Sequence, residues 1–511
     1  MIKAVMNGGP DYGQDVGPLI RAFFPDWDNT IEYGTHENGT DEEGIIEFRL
    51  SPDRFEVVFK CQGKEIRRED DFSFSPPGCY KNSGLPDRRM YRNHLHRALY
   101  SCLSEATGKV LPWGTLTGVR PTKQAVEMKR QGVSDETIVS YFGNEYLTSD
   151  RKARLACRVA DNERRLLSEL SFDDTFSLYV GVPFCPSICL YCSFSSYPVK
   201  QYATFVEPYV QAVLKEIEAT APMLRDKKLV SIYFGGGTPT TLSAGQLEKI
   251  MKKVKSCFNL TNLREWTVEA GRPDSIDEEK LRAILENGAD RISVNPQSMC
   301  AKTLELIGRR HTPEDTLRAF GLARKCGFEN INMDLIAGLN GETAEDFRFT
   351  LERIGELSPD SVTVHTLAVK RAARLNAEMD SYKDSMSGEA HLMLDLTEKY
   401  MEKGGYEPYY LYRQKNMSDN LENVGYARPG KEGLYNILIM KECHSIAACG
   451  PGASSKLVRT GEEYGGGFMD ELADDGEYKV RKIERTENVK SVKDYVERTD
   501  EMIERKRKLF V

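Results

Sequence analysis

The sequence predicts an α/β protein: a partial (β/α)6 parallel barrel, preceded by an α+β domain and followed by a small α+β extension. Three observations predict it. From about residue 176, short β-branched runs alternate six times with amphipathic helical stretches. The connections between them are short, which implies parallel strands joined by right-handed crossovers. Residues of distinctive chemistry recur just after the strands, where parallel α/β enzymes build their sites. Six units, against the eight of a closed barrel, leave the barrel open. At 511 residues the chain is too long for one core. Three regions are expected: an amino-terminal α+β domain with linking helices over 1–170, the barrel over 171–375, and an extension over 376–511 that closes the barrel mouth.

Taken in order, "IIEFRLSPDRFEVVFKCQG" reads as a hairpin turning at "SPDR". "MYRNHLHRALYSCLSEATG" is a helix ending at Gly108. "SDRKARLACRVADNERRLLSEL" is a longer one, capped by Ser149 or Thr148. Between them "LPWGTLTGVRP", with Trp113 and Arg120, is either a domain connector or the lining of a substrate entrance. The barrel strands are "FSLYVGV" (176–182), "LVSIYFG" (229–235), "EWTVEA" (265–270), "RISVNP" (291–296), "NINMDLIAG" (330–338) and "SVTVHTLAV" (361–369). "AGQLEKIMKKVKSCF", "DEEKLRAILENG", "PEDTLRAFGLARKCG" and "AEDFRFTLERIGEL" are the helices among them. Beyond the barrel, "GEAHLMLDLTEKYMEKGGY" is a helix stopped by Gly404 and Gly405. In "YEPYYLYRQKN", tyrosines beside Arg413 could grip a flat aromatic ligand, although a strand packing its rings inward explains at least two of them. Residues 459–486 are acidic and glycine-rich, and the tail reads as a charged surface helix.

Composition narrows the function. No run of 18 apolar residues predicts a membrane span, and no apolar stretch after Lys3 predicts a secretory signal. A cytoplasmic location is therefore expected, with the 12 cysteines present as thiols or metal ligands. A net charge of −8 argues against nucleic acid as a partner.

"VPFCPSICLYCSF" places Cys185, Cys189 and Cys192 within eight positions, with no fourth cysteine or histidine close behind. Closed zinc sites take four such ligands, usually as two separated pairs. Iron–sulfur cubanes are held by thiolates on tight loops. A [4Fe–4S] cluster with three protein ligands leaves one iron open to an amine and carboxylate, such as those of S-adenosylmethionine, whose reductive cleavage makes a 5′-deoxyadenosyl radical. The spacing alone is also compatible with buried or zinc-bound cysteines, and the flanks must decide.

The flanks place several groups at one mouth. The cysteine loop follows the first strand, and "GGGTPT" (235–240) ends the second. Glu269 ends the third, Gln297 follows the fourth, "IAG" (336–338) ends the fifth, and Ala368 lies near the end of the sixth. Gly236 and Gly237 would let backbone groups approach a ligand closely. Glu269 needs a donor to be buried on an apolar strand: a ribose diol, an ammonium, or a nearby arginine such as Arg272. Arg309 could hold a carboxylate with both arms, and Asp334 is a carboxylate inside a strand pattern. His311 reads as a helix-entry residue without a role.

With these residues assembled, the chain resembles the radical S-adenosylmethionine superfamily, within it the oxygen-independent coproporphyrinogen III oxidase group, and most nearly the HemZ-type coproporphyrinogen dehydrogenases. The resemblance covers roughly residues 175–455 and rests on "YVGVPFCPSICLYC", "FGGGTPTTL", "TVEAGRPDS", "RISVNPQSM…LIGRRHT" and "NMDLIAGLNGET". "LPWGTLTGVRPTK", "VHTLAVKRAARL", "YYLYRQKNMSDNLENVGYARPGKEGLYNILIM" and "CGPGASSKL" carry the narrower likeness. It implies a [4Fe–4S] cluster on Cys185, Cys189 and Cys192, and S-adenosylmethionine held by Tyr179, Gly236, Gly237, Thr238, Glu269, Gln297, Arg309, Asp334 and, more loosely, Ala368. It names no catalytic residue. The implied activity is oxidative decarboxylation of coproporphyrinogen III propionates to vinyls in haem biosynthesis, with an electron donor such as flavodoxin or ferredoxin. Lys370, Arg371 and Arg374 are candidates to bind the substrate carboxylates. Two departures keep alternatives open. Gly181 stands where the family has a histidine, and Cys192-Ser193-Phe194 has the form of the haem-chaperone relatives. A haem carrier, or another radical enzyme acting on a tetrapyrrole, is the alternative.

Overall fold

A computed structural model describes the chain except residues 1, 9–10, 26, 28–29, 35–43, 52–53, 72–87, 173, 369–388, 415–419, 461–468 and 473–477. It divides into two compact units, one of residues 1–161 with 411–423, the other of 162–410 with 424–511.

The first unit carries a five-stranded sheet whose middle strand, Gly44–Leu50, pairs parallel with Ile2–Asn7 and antiparallel with Arg54–Cys61. The latter pair is the expected hairpin. The helices Gly13–Phe23 and Arg88–Thr107 bury one sheet face, with Phe48, Phe55, Leu95 and Leu99 fully inside. Ser149 accepts the backbone N–H of Lys152 and so caps the helix Asp150–Leu167. Segment 411–423 belongs to this unit through buried polar groups: Glu422 accepts from Trp113 Nε1 at 2.7 Å and from Lys152 Nζ at 2.5 Å. Arg413, 2% exposed, directs its guanidinium to the carbonyls of Leu116 and Gly118. That arginine is thus committed to the backbone, and Tyr406, Tyr409 and Tyr410 are buried. Those three tyrosines are core, with Tyr412 half-buried; in "LPWGTLTGVRP" Leu111, Trp113, Gly114 and Thr115 are buried, whereas Gly118 and Val119 are exposed.

The second unit is built on a twelve-stranded sheet. Its centre is the six predicted strands, Thr175–Val182, Lys228–Gly236, Glu265–Glu269, Arg291–Ser293, Ile331–Ala337 and Ser361–Thr366, paired parallel in chain order. The region expected from 376 onward is not a separate compact unit. Ser445–Cys449 joins the first strand in parallel, and Asn423–Ala427 joins the sixth antiparallel. Within that region the helix Leu434–Lys441 starts at the amino-terminal end of the third strand, where the backbone N–H groups of Leu434 and Tyr435 donate to Glu265, and Tyr435 reaches inward to stack on Tyr233. Capping by that buried carboxylate holds it there.

Along the six strands, side chains alternate with the two-residue period of a pleated sheet. One series is apolar: Leu178 and Val180, Ile232 and Phe234, Trp266 and Val268, Met333 and Leu335, Val362 and Val364, all buried. The other is polar and faces the barrel interior. Ser177 bonds Ser231 at 2.6 Å, Arg291 donates to Ser361 at 2.8 Å, and Ser361 donates to Asn332 at 3.0 Å.

Candidate functional site

The cysteine loop leaves the first strand at Val182 and is tied down by backbone. Leu190 N bonds Ile307 O at 3.1 Å, Val199 N bonds Cys185 O at 2.9 Å, and Cys192 N bonds Cys189 O at 3.1 Å. The glycine run beside it is shaped by this loop. Gly236 has φ +102°, and a Cβ on Gly237 would lie 2.5 Å from the carbonyl oxygen of Phe184. Gly237 N donates to Val182 O and Thr238 N to Phe184 O, each at 2.7 Å. Sequence reasoning assigned these glycines to ligand approach; the loop's own backbone uses the same space. Thr238 turns its hydroxyl to Cys185 Sγ at 3.5 Å.

Three free thiols on one short loop are a donor set suited to a cubane with one open iron. Burial pushes Cys185 up to about 11 and raises Cys192; Cys192 and Cys189 add to the shift at Cys185, and Cys189 to that at Cys192. Thiolates are therefore costly here unless a cationic centre neutralises them. Among the described residues, no three of His, Cys, Asp and Glu gather as ligands of one metal ion. A [4Fe–4S] cluster would take one thiolate from each of the three cysteines and keep its fourth iron open. Arg309 faces Cys189, and Arg272 Nη1 lies 3.6 Å from its sulfur.

The remaining predicted residues surround the same mouth. Glu269 accepts from Tyr233 Oη at 2.6 Å, and burial pushes its carboxyl up to about 7. Arg272, the suggested partner, is bound to Asp274 instead. Tyr179 stacks on Tyr233 with centroids 6.3 Å apart, and Tyr233 on Tyr435 at 4.5 Å. Gln297, at φ +69°, bridges to the fifth strand: its N–H bonds Asp334 O at 3.0 Å, and its carbonyl accepts from Ile336 N at 3.0 Å. Its side-chain Oε1 is buried without a protein donor. Asp334 accepts from Asn332 Nδ2 at 2.7 Å and faces His365 at 4.0 Å. Arg309, 9% exposed, donates to Asn295 O at 2.5 Å and keeps its Nε without an acceptor. Ala368 lies just beyond the sixth strand. Lys370, Arg371 and Arg374 lie outside the described residues.

Sequence reasoning missed Tyr233, Tyr435 and Asn295. Tyr233 shared an inward-facing row with Tyr179, a signal that strand alternation could have provided. Tyr435 comes from a distant helix and left none. His311 does precede a helix, capped by Thr312, but it is 3% exposed and both ring nitrogens lack partners. Burial and the nearby Arg309 and Arg272 lower it to about 4, so it is neutral.

A parallel barrel with three cysteines on its first loop and a glycine turn on its second defines a radical S-adenosylmethionine protein. The Radical SAM superfamily profile matches residues 179–354. The chain belongs, within that superfamily, to the HemZ family. It is 38% identical to the oxygen-independent coproporphyrinogen-III oxidase-like protein HemZ of Bacillus subtilis (strain 168), over 84% of this chain and 85% of that one. It is 36% identical to the heme chaperone HemW of the same organism, over 38% of this chain and 51% of that one. The solved coproporphyrinogen III oxidase (HemN) of Escherichia coli shares the fold, with TM-score 0.50 and 22% identity, covering 69% of this chain and 73% of that one. The family binds a [4Fe–4S] cluster and S-adenosylmethionine. Among the described residues, no helix is long and apolar enough to cross a membrane.

Proposed function

We propose that this protein oxidatively decarboxylates coproporphyrinogen III without oxygen, in the cytoplasm, with electrons from a flavodoxin- or ferredoxin-like donor. The observation that carries the reading is the convergence of the cysteine loop, Glu269, Gln297, Asp334 and Arg309 on one polar barrel mouth, in a chain related over most of its length to HemZ. Cys185, Cys189 and Cys192 would hold the cluster, which with S-adenosylmethionine supplies one-electron reductive cleavage and a hydrogen-abstracting adenosyl radical. Glu269 would accept hydrogen bonds from the nucleotide's ribose or ammonium, oriented by Tyr233. Arg309 would use its spare N–H toward the carboxylate, and the Gln297 side-chain oxygen would accept from the ammonium. Each propionate would lose one hydrogen atom from its β-carbon to the adenosyl radical, then carbon dioxide and one electron, the electron passing to an external one-electron acceptor, leaving a vinyl group; two propionates react. Lys370, Arg371 and Arg374 would pair with substrate carboxylates.

The test is anaerobic: reconstituted protein with dithionite, S-adenosylmethionine and coproporphyrinogen III, products read by mass spectrometry. Protoporphyrinogen with stoichiometric 5′-deoxyadenosine supports the proposal. Deoxyadenosine with unchanged porphyrinogen refutes the substrate. The second reading, a haem carrier, is favoured by Cys192-Ser193-Phe194 and the likeness to HemW. Stoichiometric haem binding without porphyrinogen turnover would establish it.

A further inference from the structure

Arg272 lies beneath the cysteine loop with its side chain 4% exposed. A guanidinium has five N–H groups, and here each finds an acceptor. Nε and Nη2 grip the two oxygens of Asp274, each at 3.0 Å. Nη2 also donates to Ser187 Oγ at 3.2 Å, and Nη1 to Ser187 O at 3.3 Å. The fifth contact, 3.6 Å from Nη1, is Cys189 Sγ. Asp274 is fixed in turn, because it sits in the single 3-10 turn Pro273–Ser275 that Arg272 itself precedes.

We propose that Arg272 is a positioning residue that sets the reduction potential of the cluster by donating a hydrogen bond to Cys189; the inference rests on the ligand reading above. Reduction adds one electron to [4Fe–4S]2+ to give the 1+ state, and part of that charge falls on the thiolate sulfurs. A donor at the sulfur therefore favours the reduced form, and hydrogen bonds to the sulfurs are among the terms that set such potentials. Asp274 balances the charge of Arg272, so what Arg272 adds at Cys189, beside the charge of Arg309 that faces the same sulfur, is a local N–H dipole that salt screens little. Four of the five contacts aim the group, which makes the fifth directional rather than incidental.

The test uses the full chain, reconstituted anaerobically with iron and sulfide and titrated with dithionite while the reduced cluster is followed by electron paramagnetic resonance. In Arg272→Gln the reduced-to-oxidised ratio at the wild-type midpoint should fall about tenfold, equivalent to about 59 mV for a one-electron couple. Arg272→Lys, which keeps a donor without the fork, should recover part of it. Ser187→Ala, which loosens the loop but spares the sulfur contact, should keep the wild-type potential. A fully loaded Arg272→Gln protein at the wild-type potential overturns the inference, as does Ser187→Ala shifting equally. If Arg272→Gln holds no iron, Arg272→Lys is judged by the same criterion. A wild-type chain that binds no cluster fails the ligand reading itself, and this inference with it.

Discussion

Replacing Tyr233 by Phe keeps the ring that stacks on Tyr179 and Tyr435 and removes the hydroxyl that lies 2.6 Å from Glu269. That hydroxyl lowers the Glu269 pKa, while burial raises it to about 7. A hydrogen bond to a charged group contributes about 1.5–3 kcal/mol, and one pKa unit is about 1.4 kcal/mol, so its loss should lift Glu269 by roughly one to two units. The sign follows directly. Glu269 is neutral below its pKa and a carboxylate above it, so a ligand that needs the carboxylate binds better as pH rises through about 7. At pH 7.5 a carboxyl with pKa about 7 is roughly three-quarters ionised, and one moved to about 8.5 roughly one-tenth, which is about an eightfold loss of affinity. Equilibrium dialysis of S-adenosylmethionine against reconstituted protein, from pH 6 to 9.5, measures this. The variant should bind about eightfold more weakly at pH 7.5 and approach wild type near pH 9.5. Equal weakening at every pH, or an unchanged profile, would refute the assignment of Glu269 as the titrating acceptor.

Three further outcomes are expected. Lys506→Met strips the cation from Glu216, a pair in which both side chains are 0% exposed. Because Asn488, Tyr495 and Gly450 N still donate to that carboxylate, the loss should be near the low end for a broken buried pair, about 3 kcal/mol by denaturant titration. Adding Glu216→Gln should restore most of it, and a double variant no better than the single would count against the pairing. Gly237→Ala forces a Cβ to within 2.5 Å of Phe184 O, so the loop must move; iron content after reconstitution should fall well below wild type while far-ultraviolet circular dichroism is kept. Cys185→Ala should abolish deoxyadenosine formation without unfolding the chain, and retained cleavage would sink its assignment to the cluster.

The barrel was legible because its signals are local. β-branched runs located all six strands, four of them within a residue or two; "RISVNP" is regular only over Arg291–Ser293 before the chain turns at Gln297, and "SVTVHTLAV" only over Ser361–Thr366. The positions at the strand ends were legible too, since topology alone carries them to one mouth. What escaped depended on partners remote in sequence. Arg272 looked like a mate for Glu269 three residues away, yet Asp274 and a loop some eighty residues earlier claim it. The helix Leu434–Lys441 has an apolar composition that says nothing about which end of a barrel it meets; Glu265 decides that. The tyrosines at 406–412 could be read for a ligand or for a core, because an aromatic ring suits either.

The polar interior of the barrel also guards its assembly. Were any strand to slip by one residue, Val268 would enter the lumen among serines and asparagines, while Glu269 or Arg291 would be driven into the oily layer beneath the helices. A slip of the third, fourth or fifth strand would strand a charge away from water and from its partner. Side chains proposed to hold a ligand, Glu269 and Asp334, therefore also reject wrong alignments while the sheet forms, so that the same groups proofread the fold.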